Sequence, residues 1–532
     1  MLQSIFCVSK NCRTNLTLQR KNKEEDILRK IGIVELNTTN IKMTFANISD
    51  SQSFVITDQF EDATKVAYDL LNGELIKPAT IQAITSTLKS YKAISVASGI
   101  SEVFAVASNE YTTAKNQKSF FEELYSQGGF KFQILGAEEQ AYDLYLSFIN
   151  SLDAPKGLIV AVNGTNSQIL AYNRRNIINQ KLISESAIEL AEKYTDKLSK
   201  PEDFIKAIQK EYTSKINKID FFDGLDAETQ IVGTGDAFTS LARLSRKVNH
   251  YSYDREHGYR LTSADLTKVL QFLKGLELDK SKRLKGISNE RVDILVAEFC
   301  IIKAISDASK IENIIVSKNG VSEGLLFSKA CPQTLEKPIT DVLGYSLDAL
   351  NEQFNVANIK NTKNICELSL ILFKQLKVLH KLPRTFVKIL KIASYFHDCG
   401  KRISYQNYQK KGFSVVLNSD IYGASHREQI LAGFVVASQN LEDFNMTEWV
   451  KYKDLFSDED LEGVRKLAVI VKLASSLDAF NTGKVKDISC DILGDSVIMK
   501  TIVESPADME IAEGLKVSSD FAKAFKKHLE IL

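Results

Sequence analysis

The sequence predicts an α/β fold built from two similar halves and followed by a separate, mostly helical domain. Three observations carry this. The stretch Gly157 to Asn173, GLIVAVNGTNSQILAYN, reads as strand, polar turn, strand, and it has an earlier counterpart in Ile31 to Asn47, IGIVELNTTNIKMTFAN. The copies share Val34/Val160, an aliphatic at Leu36/Val162, Asn37/Asn163, Thr39/Thr165, Asn40/Asn166 and Asn47/Asn173. An apolar strand running into a tight Asn, Gly and Thr turn is a β-hairpin signal. Next, strands lead each copy and helices alternate with further strands, which is the order of an α/β domain. Finally, from about Glu336 the apolar residues fall at helical spacing.

Taken in order, residues 1–28 are basic, with Lys10, Arg13, Arg20, Lys21 and Lys23, and carry little apolar pattern; they are expected to be a flexible extension. Residues 29–128 form the first α/β domain. After the hairpin come a strand at Ser51 to Thr57, helices at Asp62 to Asn72 and Pro78 to Tyr91, strands at Ala93 to Ala97 and Ser101 to Val106, and a helix from Asn116. Residues 129–332 form the second. It opens with a strand at Phe132 to Leu135 and a helix from Ala137 to Ile149, then the second hairpin and helices at Ser186 to Leu198 and Pro201 to Tyr212. A strand ends in the glycine-bearing IVGTGDA at Ile231 to Ala237. Helices follow at Ser263 to Leu278 and Arg291 to Ser309, then a strand at Asn313 to Val316 and a glycine turn at Lys318 to Gly324. Residues 336–485 are the helical domain, with apolar periodicity through Phe386, Ile389, Leu390, Ala393 and Phe396 and again through Leu467 to Leu477. Residues 486–532 are a small β/α tail.

Composition narrows the function classes. Lys and Arg number 68 against 67 Asp and Glu, so the net charge is +1 and no global field favours nucleic acid or an anionic membrane. A polyanion would need a local site. The seven cysteines are scattered and form no CxxC, which argues against a disulfide framework or a structural zinc and for a reducing, cytoplasmic setting. No apolar run reaches the length of a membrane span.

Two kinds of residue carry candidate chemistry. The turns Asn37, Thr38, Thr39, Asn40 and Asn163, Gly164, Thr165, Asn166 offer backbone N–H groups and hydroxyls, the donors of an anion nest. The IVGTGDA loop is either a third phosphate contact or a plain strand-to-helix turn. Glu138 and Glu139 fall in the first turn of a helix, where acids oppose the helix dipole. Their functional reading is that one points into a cleft beside the turns and deprotonates an attacking water.

These residues, together with AVASNEYTTAKN (Ala105 to Asn116), ILGAEE (Ile134 to Glu139), HGYRLT (His257 to Thr262), RVDIL (Arg291 to Leu295) and VSKNGVSEGLL (Val316 to Leu326), resemble the Ppx/GppA family of exopolyphosphatases and guanosine pentaphosphate phosphohydrolases. The resemblance implies two actin-like ATPase (ribonuclease H-like) domains facing a cleft, followed by a helical HD-like domain. It implies removal of a terminal phosphate from polyphosphate or a guanosine penta- or tetraphosphate, with magnesium, by a protein that is dimeric. Glu139 matches the water-activating glutamate, and Glu35 keeps an acid at the first phosphate loop as a candidate metal ligand. Arg291, Asp293 and Gly324 also match. Several positions depart from the pattern. Asn37 and Asn163 replace glycines, Ala161 and Gln168 replace carboxylates, and Thr112 and Ser322 stand where arginines are expected. In the helical domain His397, Asp398 and Asp478 match HD metal ligands, but Asn361, Gln409 and Lys411 replace histidines. The resemblance therefore leaves two functions open: a phosphoanhydride hydrolase, or a catalytically degenerate relative that binds polyphosphate, an alarmone or a protein partner as a regulator.

Overall fold

Strand β1 (Arg29–Leu36) buries every residue from Ile31 to Leu36, so it has to be covered on both faces. It lies inside a five-stranded sheet of order β3-β2-β1-β4-β5, with β2 (Asn40–Ile48), β3 (Phe54–Ala63), β4 (Glu102–Ala107) and β5 (Gln133–Ile134). The β1–β2–β3 meander is antiparallel, and β4 and β5 add in parallel. The computed structural model describes residues 29–532 except 50–51, 72, 196–200, 220, 223–224, 227, 275–291, 355–358 and 440–445. The extension expected at residues 1–28 lies outside the described residues, as do Arg291 and the Asp293 side chain.

The second sheet repeats the first. Its strands are β6 (Lys156–Val162), β7 (Ser167–Asn173), β8 (Asn176–Ile183), β9 (Gln230–Thr234), β10 (Arg260–Thr262) and β11 (Asn313–Val316), in the order β10-β11-β9-β6-β7-β8. Walking outward from the hairpin, β8-β7-β6-β9-β11 reproduces β3-β2-β1-β4-β5, and β10 is an added antiparallel edge.

Between the sheets sits a shared apolar layer. Ile31 and Ile33 of β1 and Ile159 and Ala161 of β6 meet Leu144 and Phe148 of helix α2 (Ala137–Ile149) and Leu325 of helix α5 (Val321–Leu325). The outer faces are covered separately. Helix α1 (Pro78–Ala97) covers the first sheet, and α3 (Asp236–Val248) and α4 (Val292–Ser309) cover the second. The α2–α5 crossing is very close: a Cβ on Gly324 would fall 1.9 Å from the carbonyl oxygen of Asp143, so only glycine lets the two helices touch there.

The helical domain contains α6 (Val342–Phe354), α7 (Ile359–Gln375), α8 (Phe386–Tyr395), α9 (Tyr408–Asn418), α10 (His426–Ala437) and α11 (Asp458–Ser476). Its core continues without a break into a three-stranded sheet of β12 (Val485–Leu493), β13 (Ser496–Val503) and β14 (His528–Ile531). Among the described residues no helix is long and apolar enough to cross a membrane.

Three expectations change. Helix α1 continues to Ala97, so no strand forms at Ala93 to Ala97. Its buried residues Ile81, Ile84, Leu88, Tyr91 and Ser95 keep helical spacing to the end, and the chain turns only at Gly99, with φ of 68°. Strand β3 runs to Ala63, held in register by pairing with Asn40, and displaces the start of the following helix to Val66. The strand expected to open the second domain, at Phe132 to Leu135, instead pairs with β4 and completes the first sheet.

Candidate functional site

Each hairpin ends in the same turn. Asn37 N–H donates to Asn40 O at 2.9 Å, and Asn163 N–H donates to Asn166 O at 2.8 Å. The side chains repeat the bond: Asn37 Nδ2 donates to Asn40 Oδ1 at 3.0 Å and Asn163 Nδ2 to Asn166 Oδ1 at 3.1 Å. Asn is well suited here because its amide closes the turn on itself while its backbone tolerates loop conformations.

The turns face one another. A Cβ on Gly164 would lie 3.1 Å from Thr39 Cγ2, and both turns line one cavity of about 110 Å³. Its wall includes Glu35, Asn37, Thr38, Thr39, Asn40, Glu110, Gln140, Asn163, Gly164, Thr234, Gly235, Asp236, Glu298 and Gly320. The space is large enough for a phosphoryl group with some of its waters. Thr165 and Asn166 lie behind this wall, with Asn166 buried. The IVGTGDA loop reaches the cavity through Thr234, Gly235 and Asp236, where Gly235 takes φ of 89° to turn the chain into α3.

The floor joins the two domains by polar contacts. Glu35 accepts from Asn37 Nδ2 at 2.9 Å on one oxygen, and from Ser322 N–H at 3.2 Å and Ser322 Oγ at 2.5 Å on the other. Ser322, where the resemblance expects an arginine, is thus a buried hydrogen-bond donor to Glu35. Lys42 of β2 pairs with Glu323 of α5 at 3.2 Å, and Gln59 Nε2 donates to the same oxygen at 3.1 Å. Burial works against both charges of the pair. The Glu323 and Glu35 carboxylates still raise the Lys42 ammonium above its ordinary value, and Lys42 with the Gly320 N–H holds Glu323 below its own.

Glu139 is exposed and does not line the cavity; the neighbouring Gln140 does. Its carboxylate turns back to accept the Gly136 N–H at 2.9 Å, which is the glutamate half of a capping box at the start of α2, Gly136 having no side chain to return the bond. The duplication extends to this detail: Glu323 accepts the Gly320 N–H at 2.6 Å at the start of α5. Glu138, also exposed, stays outside the wall. Gln168, in place of a carboxylate, donates to Ala137 O at 2.9 Å and so ties β7 to α2. Thr112 is exposed and its hydroxyl donates to Asn109 O at 2.7 Å.

Sequence reasoning missed the acid of the cleft wall that comes from Ala105 to Asn116. Glu110 accepts from Asn166 Nδ2 at 2.7 Å across the domain boundary. The available signal was a single acid in an otherwise uncharged polar segment, SNEYTT. Among the described residues the cavity wall holds Glu35, Glu110, Asp236 and Glu298 and neither lysine nor arginine.

In the helical domain His397 is buried, donates from Nδ1 to Ser394 O at 2.9 Å, and is held below the usual imidazole range first by burial. Asp398 is buried beside Lys401 at 3.5 Å, and its Oδ1 has no protein hydrogen-bond partner. Asp478 accepts from Asn364 Nδ2 at 3.0 Å and Gly483 N–H at 2.8 Å. Among the described residues no group of three or more His, Cys, Asp or Glu is arranged to hold a metal ion.

Duplicated ribonuclease H-like sheets with hairpin turns apposed across a cleft define an actin-like fold. The sequence profile of the Ppx/GppA phosphatase family matches residues 50–332, and that of the family's domain III matches residues 344–505. The chain belongs to the Ppx/GppA phosphatase family. It is 20% identical over 306 residues to a bifunctional 3-dehydroquinate synthase/phosphatase of Fusobacterium nucleatum, across 54% of this chain and only 44% of that protein's length. It is 18% identical over 308 residues to an inferred exopolyphosphatase of Haemophilus influenzae, covering 58% of this chain and 93% of that one. The crystal structure of an Aquifex aeolicus Ppx/GppA family member superposes with a TM-score of 0.50 at 22% identity, over 59% of this chain and all of that one. An exopolyphosphatase from Cytophaga hutchinsonii gives 0.50 at 15% identity, over 57% of this chain and 97% of that one.

Proposed function

We infer that the cleft releases a terminal phosphate from inorganic polyphosphate or a guanosine pentaphosphate, with magnesium. The observation that supports this reading most is the pair of apposed Asn/Thr turns lining one cleft large enough for a phosphoryl group. The wall's carboxylates repel phosphate oxygens, so a cation has to stand between them. Magnesium characteristically joins one or two carboxylates to phosphate oxygens through waters. Glu35 accepts hydrogen bonds on both oxygens, so a cation there would share them with Asn37 and Ser322. Glu110 fits, since its Oε2 is buried in the cleft without a protein partner. Magnesium bound there supplies charge neutralisation of the phosphate oxygens. Glu139 is the candidate base and acts only after leaving its cap at Gly136.

A second reading, a phosphate-binding regulator with little or no turnover, is favoured by a specific observation: among the described residues no lysine or arginine lines the cavity, and Glu139 is occupied as a helix cap. Phosphate release from polyphosphate and from guanosine pentaphosphate, with magnesium, separates them. A hydrolase loses about 10²–10⁴-fold in turnover in Glu139→Ala. Binding without release in wild type and variant alike supports the regulator.

A further inference from the structure

The two turns are built alike but partnered differently. In the first, Asn40 Nδ2 donates at 2.7 Å to Glu61, which lies on β3 of the same sheet. In the second, Asn166 Nδ2 donates at the same 2.7 Å to Glu110, which belongs to the opposite domain. The second sheet has no acid to do this locally: opposite Ser167 and Gln168 stand Ile183 and Leu182. The second turn therefore takes its carboxylate from across the cleft. The other oxygen of that carboxylate, Oε2, is buried and has no hydrogen-bond partner among the described residues, and neither does Thr165 Oγ1 of the same turn. A carboxylate in this place offers what a phosphate oxygen would offer, a negative acceptor for the amide of the turn.

We propose that Glu110 is a specificity-determining residue, an internal anion that occupies the second turn and makes phosphate entry conditional on a divalent cation. This rests on the phosphate-directed reading of the cleft. A phosphate arriving alone meets Glu110 as a like charge in a wall that, among the described residues, offers no lysine or arginine to offset it. A divalent cation on the open Oε2 reverses the sign of the contact, so the carboxylate that excluded the phosphate now helps to hold it. The Glu110–Asn166 bond also spans the domains through the second turn. The Glu35–Ser322 and Lys42–Glu323 contacts span them through α5, on the floor.

The test titrates inorganic tripolyphosphate into the full chain by calorimetry, with magnesium chloride and with a chelator. Wild type is expected to bind about tenfold or more tighter with magnesium. Glu110→Gln, which keeps an acceptor for Asn166 and removes the charge, is expected to lose most of the magnesium dependence, and without magnesium to bind about tenfold or more tighter than wild type. Wild-type binding that is indifferent to the chelator overturns the proposal, and so does a Glu110→Gln variant that keeps the wild-type magnesium dependence; either leaves the phosphate reading standing. Absence of tripolyphosphate binding in every form removes the phosphate reading and the proposal with it.

Discussion

Asp143 is a buried carboxyl one turn along α2 from Glu139, on the same helix face. Burial pushes it up to about 7, with Glu35 and Glu139 adding to the rise and the Ser328 hydroxyl, at 3.3 Å, and Lys329 opposing it. An acid whose folded value lies above its unfolded one keeps its proton in the folded state where the unfolded chain has lost it. Stability is then highest below the unfolded value near 4 and falls as pH rises toward 7. The upper bound of that loss is ~4 kcal/mol. Asp143→Asn keeps the size and the Ser328 contact. It is expected to raise Tm over wild type by a margin that grows between pH 4 and 7 and to stabilise the protein by roughly 1–3 kcal/mol at pH 8. A variant whose Tm follows pH as wild type does would show that the carboxyl is already ionised in the fold. Nothing in the sequence marked this residue, because its titration depends on the touch between Asp143 and Gly324 on a helix 181 positions later.

The hairpins are the elements on which the cleft is built, and their twin turns differ in what their outer Asn amides hold. Asn40 serves Glu61, which is exposed and keeps water when the amide is lost. Asn166 serves Glu110, one of whose oxygens is already buried without a partner. Stranding a buried acceptor costs about 1–3 kcal/mol, and more when it is charged, whereas an exposed one costs little. Asn166→Ala is therefore expected to lower the urea midpoint clearly more than Asn40→Ala, and equal losses would mean that Glu110 finds water or rearranges. The turns themselves were legible, because a hairpin is set by residues next to one another and Asn, Gly and Thr report it directly. So were the swing to helical spacing after Glu336 and the start of α2 at Ala137. Glu110 was not, since its partner is 56 residues away and the pairing exists only once two domains close. Strand against helix at Ala93 to Ala97 was misread for another reason. Ile94 and Val96 favour strands, but the stripe through Leu88, Tyr91 and Ser95 stays buried and fixes the helix by packing. Glu139 shows a third limit: the residue type was visible, but its choice between capping Gly136 and facing the cleft is a rotamer, set in space.

At the scale of the whole molecule, domain III grips both actin-like domains. Tyr345 of α6 donates to Gln52 O of the first domain at 2.6 Å, and Lys388 of α8 reaches Asp153 ahead of β6 at 2.5 Å. The connector at 249–260 is held by His426 at the start of α10, whose Nε2 donates to His257 O at 2.9 Å while Nδ1 accepts from Tyr251 OH at 2.9 Å. That arrangement needs a neutral ring. Burial comes first in holding His426 down to about 3, with Arg255, His257 and Arg246 adding to it; His257 is held to about 4 by burial and Arg255. Histidines whose folded values lie below the unfolded 6.5 contribute stability that is complete above 6.5 and is lost as pH falls toward the folded values. The loss is about 2 kcal/mol per ring by pH 5. It falls on the joint between domain III and the second domain, so local opening there precedes global unfolding. Hydrogen exchange at 249–260 and 426–437, corrected for intrinsic rates, is expected to lose protection between pH 7 and pH 5 while the β6 and β9 amides keep theirs. His426→Gln removes one titrating ring and is expected to start with weaker protection and lose about half as much over the same range. An equal loss in wild type and variant would place the acid-sensitive step elsewhere.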